Sequence, residues 1–420
     1  MFEPQLEAMA PEQMTVLQLD RLRQTLRQVA RNDRYARRTD AAAGDLHSLQ
    51  DVRQLPFLSK SDLREEYPLR LCTVATADLV RFHMSSGTTG NPVLCPYTAG
   101  DVRQWAAVMA RCLSAATLSA RDTVQVTPSF GLFNGGFGFH YGCERLGCFV
   151  VPSGPGRTLL QLKLMSDLEV TAVTGIASYA VRLAETAEAE GFDIADSSLR
   201  VAVIGSEMWS AELRKRIELR LGVESFDIIC MTETGGVGMG IDCPAHQGIH
   251  IWEDHYLAEV VDPAGKPVPD GQTGELVITT LTREALPVIR YRTGDITSVV
   301  SRERCDCGRT GLRIDRFRGR ADDMLIANGV NFYPKQVETL LLGEPAIGAQ
   351  YRIVLTTEAG LDAVTIECET NSNSNSEPDQ AALAQRFVDF LGFRPRFTFR
   401  RPGEMERPEG KAVRVMDQRQ

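Results

Sequence analysis

The chain has 420 residues, 43% of them hydrophobic and 24% charged, and its formal net charge is -9. This length exceeds what one hydrophobic core usually organises, so at least two domains are expected, and the acidic balance argues against a general nucleic-acid binder. Because no apolar run is long enough to span a bilayer and residues 1–5 carry no basic or apolar export signal, the sequence predicts a cytoplasmic protein without a membrane segment, whose ten cysteines stay reduced.

The N-terminal part of the chain is expected to be helical. Residues 12–38 predict a single amphipathic helix with apolar residues at helical spacing on one face: Leu19, Leu22, Leu26 and Val29. Ser59 or Ser61 is expected to cap the helix that follows.

A run of small residues follows at 85–90, with the sequence Ser-Ser-Gly-Thr-Thr-Gly. It offers clustered backbone N–H groups and four hydroxyls, which suit phosphate oxygens, and its glycines permit tight turns. It lacks the lysine of a P-loop. A flexible surface loop has the same composition, so the run alone leaves both interpretations open.

The next two hundred residues alternate between helix and strand patterns. Helices are predicted at 99–117, 158–167, 178–190 and 210–221. Strands are predicted at 124–127, 170–174, 201–205 and 226–231, with a further apolar run at 148–152. This alternation predicts a layered α/β domain with parallel strands.

From Tyr256 the alternation of helices and strands gives way to strands and turns. Strands separated by turn signals at 258–261, 274–280 and 296–300 predict a β-rich subdomain over about 243–318. Beyond residue 319, strands alternate with helices at 335–342 and 380–391, which predicts a small α+β unit. The polar stretch 370–379 is expected to be a surface loop within it.

Seven motifs in order resemble those of the phenylacetate–CoA ligase branch of the adenylate-forming enzymes. They are residues 85–90, 131–142 (GLFNGGFGFHYG), 205–209 (GSEMW), 231–235 (MTETG), 291–295 (YRTGD), 319–326 (GRADDMLI) and 409–414 (EGKAVR). The resemblance implies an N-terminal adenylation domain at 1–320 and a mobile C-terminal domain at 321–420. It also implies a homodimer and a two-step reaction, in which Mg²⁺·ATP converts a carboxylic acid to an acyl-adenylate and coenzyme A then displaces AMP.

The resemblance assigns the phosphate-binding and catalytic residues. Donors to the β- and γ-phosphates would be Ser85, Ser86, Gly87, Thr88, Thr89 and Gly90. Glu233 would hold Mg²⁺, because hard cations take carboxylate oxygen, and Thr232 would bond the α-phosphate or the substrate. Asn91 stands where relatives carry lysine, so one phosphate-directed charge is missing. Lys411 would enter the site on domain closure, with Asp322 as the hinge and Gly329 beside the pantetheine chain of coenzyme A.

The nucleoside would meet a second set of residues. Gly205, Ser206, Glu207, Met208 and Ile229 are expected around adenine, although Ile229 replaces the usual stacking aromatic residue and Cys230 the usual glycine. Asp295 can accept hydrogen bonds from both ribose hydroxyls, and Arg320 would reach the ribose or the α-phosphate.

The acyl pocket is expected to accept a single-ring aryl acid, because glycines between aromatic residues leave flat space for a ring. The predicted lining is Phe130, Phe133, Gly135, Gly136, Phe137, Phe139 and Tyr141, with Ala177 opposite.

A thiolate metal site is predicted separately. Cys305 and Cys307 resemble half of a structural zinc site, which Cys243 and either His246 or His250 would complete. His250 is preferred, since it lies in the family-like Gly-Ile-His-Ile-Trp run.

Two other functions remain open from the sequence. The acyl-adenylate could pass to a carrier protein or an amine in place of coenzyme A. A non-catalytic nucleotide-binding relative is the third possibility, kept open by Asn91 and Ile229.

Overall fold

The structure is a computed structural model that describes residues 1–39, 46–85, 91–321, 323–358, 361–371, 378–407 and 412–419, with backbone alone at residue 195. Its helices are α1 (Pro4–Glu7), α2 (Pro11–Val29), α3 (Asp33–Thr39), α4 (Lys60–Glu65), α5 (Ala99–Ala115), α6 (Gly135–Leu146), α7 (Thr158–Asp167), α8 (Ala177–Ala189), α9 (Ala211–Leu221), α10 (Pro334–Leu342) and α11 (Gln380–Leu391). No helix among these residues is long and apolar enough to cross a membrane.

The strands fall into one large sheet and several small ones. The N-terminal strands are β1 (Leu79–Met84), β2 (Leu94–Thr98), β3 (Thr123–Val126), β4 (Phe149–Val151), β5 (Ala172–Gly175), β6 (Val201–Gly205), β7 (Glu224–Met231), β8 (Gly236–Ile241) and β9 (Ile249–Ile251). Next come β10 (Tyr256–Val261), β11 (Gly274–Thr280), β12 (Tyr291–Thr297), β13 (Val299–Ser301), β14 (Arg313–Ile314) and β15 (Gly319–Arg320). The last are β16 (Leu325–Ala327), β17 (Val330–Phe332), β18 (Ile347–Glu358), β19 (Leu361–Thr370), β20 (Arg396–Arg400) and β21 (Val415–Asp417).

The large sheet has the order β13-β14-β9-β8-β7-β6-β5-β3-β4. The strands β4, β3, β5, β6 and β7 pair in parallel, as the alternating pattern predicted. Along β6, Val201 and Val203 belong to one buried cluster and Ala202 and Ile204 to another. Both faces of the sheet are therefore covered, as expected for parallel strands.

The predicted α/β fold with a smaller C-terminal unit is confirmed, and the β-rich segment needs one refinement. A second sheet, β10-β11-β12-β15, is separate, whereas β9, β13 and β14 extend the antiparallel edge of the large sheet. In the C-terminal unit, β20-β19-β18-β21 form a sheet that packs with α10 and α11 around its own buried cluster.

One local prediction was wrong, and one helix was missed. The single helix expected at 12–38 is interrupted, because the Asn32 side-chain oxygen accepts from the N–H groups of Arg34 and Tyr35 and starts α3 anew. Helix α6 was not predicted, since its four glycines disfavour helix. Tertiary packing outweighs that preference: a Cβ at Gly142 would lie 2.5 Å from Met109 Cβ, so only glycine lets α6 approach α5 this closely.

Candidate active site

A cleft of about 630 Å³ lies between the large sheet and the C-terminal unit. Its floor comes from residues that follow β6 and β7, which is where ligands bind in open α/β sheets. Its far wall comes from α10 and from the segment 412–415. Most of the predicted nucleotide residues line it: Ser85, Ser206, Glu207, Met208, Ile229, Thr232, Glu233, Asp295 and Arg320.

Glu233 lies in the turn after β7 and is 7% exposed. Its Oε1 is 3.2 Å from Lys60 Nζ. Lys60 belongs to a distant segment of the chain. That segment is held beside the site because Leu58 forms a parallel bridge with Tyr291 and backbone hydrogen bonds with Arg290 and Arg292. The buried carboxylate offers the oxygen ligand that Mg²⁺ takes beside nucleotide phosphates, so the site fits that ion.

Lys60 is a functional candidate that the sequence reasoning missed. Ser59 does cap α4 as predicted, by accepting from Asp62 N, and Lys60 is the first residue of that helix. A cation at a helix N-terminus opposes the helix dipole. That local conflict is the signal that could have drawn attention to Lys60.

Asp295 and Arg320 face each other across β12 and β15. Arg320 Nη1 donates to Asp295 Oδ1 at 3.0 Å, and the two residues are register partners in the sheet. Asp295 is 7% exposed. The pair presents a carboxylate and a cation to the same part of the cleft, as a ribose phosphate requires.

The loop after β6 is held tightly. A Cβ at Gly205 would lie 2.3 Å from Ile228 O, so glycine is required for this close approach. Ser206 has a φ of 66°, in the left-handed region. Glu207 accepts hydrogen bonds from the N–H and hydroxyl of Ser178 at 2.8 Å, and its Oε1 also accepts from Ala412 N at 2.9 Å. The loop therefore ties the sheet to the chain next to residue 411.

Lys335 places a cation on the far wall. It is the second residue of α10, lines the cleft, and donates to the backbone oxygen of Phe317. Burial, with a contribution from Arg316, lowers the pKa of Lys335 to about 8.

Several predicted residues cannot be placed. Ser86, Gly87, Thr88, Thr89, Gly90, Asp322 and Lys411 lie outside the described residues. Ser85 lies at the cleft, and its buried hydroxyl has no hydrogen-bond partner among the described residues. Asn91 is exposed. Gly329 has a φ of 82° in the turn between β16 and β17, and it does not line the cleft.

The predicted acyl-pocket residues are only partly at the cleft. Ala177 lines it, whereas Phe133 is 47% exposed and Phe139 is buried in the core. The rings of Phe130 and Tyr141 pack on Phe137, and Gly135 and Gly136 begin α6. Arg81 Nη1 donates to the Tyr141 hydroxyl at 2.8 Å, and the Arg81 guanidinium lies 5.2 Å from the Phe137 ring centre. This neighbourhood is therefore cationic as well as aromatic.

The four preferred zinc ligands are brought together. The ligand atoms of Cys243, His250, Cys305 and Cys307 all lie within 4.8 Å of one another. The sulfur atoms of Cys243 and Cys305 are 3.7 Å apart, and tetrahedral ligands about 2.3 Å from zinc would be about 3.8 Å apart. The donor set therefore fits zinc. His246 instead bonds Asp242 at 2.9 Å and Glu224 at 3.1 Å.

Comparisons with known proteins show which family the chain resembles. The family model "AMP-binding enzyme" matches residues 9–282, and "AMP-binding enzyme C-terminal domain" matches residues 329–419. The phenylacetate-coenzyme A ligase of Pseudomonas putida is 39% identical over 414 residues, which cover 96% of this chain and 93% of the relative.

A 2-hydroxyisobutyryl-CoA ligase has a similar structure in two states. In the postadenylation state, with 2-HIB-AMP bound, it matches with a TM-score of 0.90 and 28% identity, over 99% of this chain and 91% of its own. In the thioesterification state, with CoA also bound, the TM-score is 0.73 at 28% identity, over 99% and 92%.

Proposed function

Because the chain belongs to the AMP-binding enzyme family, in the branch of the phenylacetate–CoA ligases, we propose that it is an AMP-forming ligase that joins an aromatic carboxylic acid to coenzyme A. The observation that carries the proposal is the cleft itself. It joins the Lys60–Glu233 pair to the Asp295–Arg320 pair at the edge of the sheet where nucleotides bind.

In the first step, a carboxylate oxygen of the acid bonds to the α-phosphorus of ATP, and the bond from that phosphorus to pyrophosphate breaks. Both reactants are anionic, so catalysis depends on neutralising charge and on holding the groups in line. Lys60 and Arg320 supply fixed cations, Thr232 donates to the α-phosphate or the substrate, and Ser85 begins the phosphate-binding run that continues to Gly90. Glu233 would hold Mg²⁺, which supplies further charge neutralisation when bound.

In the second step, the thiol sulfur of coenzyme A bonds to the acyl carbon, AMP leaves, and the thiol proton is released. Lys411 is assigned to the first step and Gly329 to the second, so the C-terminal unit must occupy two positions. Asp322 would be the hinge between the domains 1–320 and 321–420. Asp322 lies between the two matched family segments, the first of which ends at residue 282 and the second of which begins at residue 329; this supports the assignment.

We also propose one structural zinc per chain, held by Cys243, His250, Cys305 and Cys307, and a homodimeric, cytoplasmic enzyme. The zinc would link β9 to the turn after β13, and so fix the antiparallel edge of the large sheet. Light scattering on the purified chain tests the dimer.

Pyrophosphate exchange into ATP, measured across a panel of aromatic acids that includes phenylacetate, tests the activation step. Formation of the aryl-CoA thioester then tests the acceptor. Pyrophosphate exchange that depends on an aromatic acid, together with formation of the thioester of that acid with coenzyme A, supports the proposal. Exchange without a thioester would favour a carrier protein or an amine as acceptor, and no exchange with any acid would favour the non-catalytic alternative.

A further inference from the structure

We propose that Arg216 and Glu338 are positioning residues for acid activation, because each lies within one helix and caps an end of the other: Glu338 of α10 caps the start of α9, and Arg216 of α9 caps the end of α10. The proposal rests on the two-step reaction proposed above. Arg216 lies in the segment matched by the AMP-binding family, and Glu338 lies in the segment matched by its C-terminal domain. The two residues therefore act across the boundary between the domains.

Glu338 caps the beginning of α9. Its Oε1 accepts from the backbone N–H of Ser210 at 2.7 Å, and its Oε2 accepts from the Tyr351 hydroxyl at 3.2 Å. Both Ser210 and Glu338 are buried. The first N–H groups of a helix lack partners within it, and the positive end of the helix dipole favours a carboxylate there.

Arg216 caps the end of α10. Its Nη1 donates to Ile347 O at 2.5 Å, and its Nη2 donates to Leu342 O at 2.6 Å and Glu344 O at 3.1 Å. The last carbonyl groups of a helix lack partners within it, and a cation is favoured at this end. Gly343 at the C-cap has ordinary right-handed angles, φ -68° and ψ -10°, so the left-handed glycine that often closes a helix is absent there. The guanidinium takes over that role.

An apolar contact supports the two caps. Leu342 and Ala349 of the C-terminal unit belong to the same buried cluster as Leu213 and Ile217 of α9. Hydrophobic contact favours association without fixing direction, whereas the two caps satisfy particular backbone groups. They therefore select one alignment of α10 on α9.

This alignment reaches the reaction site directly. Ser210 follows the loop that lines the cleft with Ser206, Glu207 and Met208. On the other side, Glu207 binds the N–H of Ala412, the residue next to Lys411. When α10 is capped on α9, the chain beside Lys411 is held at the cleft.

The alignment corresponds to one state of a relative. The structure superposes on 2-hydroxyisobutyryl-CoA ligase with a TM-score of 0.90 in its postadenylation state and 0.73 in its thioesterification state. The caps described here belong to the arrangement that resembles the first of these. Contacts that form in just one of the two arrangements contribute to the half-reaction that is performed in that arrangement. Arg216 and Glu338 therefore support activation of the acid and are released before transfer to coenzyme A.

The test separates the two half-reactions in Arg216→Ala and Glu338→Ala. Activation is measured as phenylacetate-dependent pyrophosphate exchange, and transfer is measured by supplying phenylacetyl-adenylate and coenzyme A. We expect each variant to lose about tenfold or more in exchange, the effect of removing a charge-assisted hydrogen bond, and to keep its transfer rate within about twofold. Arg216→Lys should restore part of the exchange, since its ammonium group can reach one carbonyl group.

Arg220→Ala is the matched control. Arg220 lies on the same helix but pairs with Glu188 of α8, at 2.8 Å for both contacts, within the same matched segment. It should leave both half-reactions unchanged. Equal losses of pyrophosphate exchange and of transfer to coenzyme A in the Arg216 and Glu338 variants would mean that the caps are merely structural, which contradicts the proposal. Unchanged pyrophosphate exchange would also overturn it.

A second measurement does not depend on activity. Hydrogen–deuterium exchange of the peptide that contains the Ser210 N–H should be faster in Arg216→Ala and Glu338→Ala than in Arg220→Ala. Equal protection in all three variants would contradict the capping role. If the three variants show this protection pattern but the wild-type protein shows no pyrophosphate exchange, the proposed function is refuted and the capping stands.

Discussion

Replacing Lys60 by methionine removes the cation that faces Glu233 across 3.2 Å. At that distance, and with an effective dielectric constant of about 20, the attraction is about 5 kcal/mol before desolvation of the two groups is subtracted. The Lys60 side chain is 29% exposed, so water screens part of this attraction. Loss of one charge-stabilising donor at a reaction site typically lowers the rate by a factor of about 100, and we expect Lys60→Met to reduce adenylation by about that factor.

The same substitution, although it lowers the rate, should increase the apparent affinity of the site for Mg²⁺. Glu233 pairs with Lys60 through its Oε1, so removing the ammonium group removes a competitor for that oxygen as a ligand of a cation. Pyrophosphate exchange measured over a series of Mg²⁺ concentrations should therefore show a lower maximal rate and a lower half-saturating Mg²⁺ concentration. Lys215→Met, at an exposed position of α9, serves as the control and should change neither quantity.

Two results would refute this reasoning. An unchanged maximal rate would mean that Lys60 does not assist the reaction and that its pairing with Glu233 is structural. A higher half-saturating Mg²⁺ concentration would mean that Lys60 helps to assemble the metal site, so that the two charges cooperate there.

Three further predictions concern metal content and stability. Metal analysis should find about one zinc per chain in the wild-type protein and in His246→Ala, and none in Cys305→Ala, which should also unfold at lower urea concentration. Burial lowers the pKa of His83 and of His255 to about 4, below the value of about 6.5 in an unfolded chain. Stability from keeping these rings neutral is complete above pH 6.5, and roughly 3 kcal/mol per histidine should be lost as the pH falls to 4, as urea unfolding at several pH values would show. Gly142→Ala would place a methyl group 2.5 Å from the facing side chain of α5 and should lower the unfolding free energy by about 1–3 kcal/mol in the same assay.

The architecture could be predicted because local pattern and tertiary environment agree along most of the chain. The apolar run 201–205 is flanked by helical patterns, and β6 is buried on both faces of the sheet with the same bounds. Helix 380–391 was likewise predicted with its observed bounds. In these segments, periodicity and burial carry the same information.

The failures occur where a distant part of the chain decides the local structure. Helix α6 exists because its glycines fit against α5, a partner that the local composition does not reveal. The break before α3 is due to Asn32, whose amide group also donates to the carbonyl oxygens of Arg70 and Cys72. Side-chain hydrogen bonds of this kind compete with a helix that the hydrophobic pattern alone would continue.

The charged residues of the cleft also depend on distant parts of the chain. The sequence indicated a missing cation at Asn91, and the structure places Lys60 beside Glu233 from a segment about thirty residues earlier in the chain. Short-range motifs could not find it, because its position depends on Leu58 pairing with Tyr291. Two phosphate-directed lysines would then enter from opposite sides, Lys60 from the N-terminal segment and Lys411 from the C-terminal unit. Under the two positions proposed for the C-terminal unit, Lys411 alone would leave the site. On that proposal, Lys60 would contact the nucleotide throughout the cycle and Lys411 would act in the activation step alone.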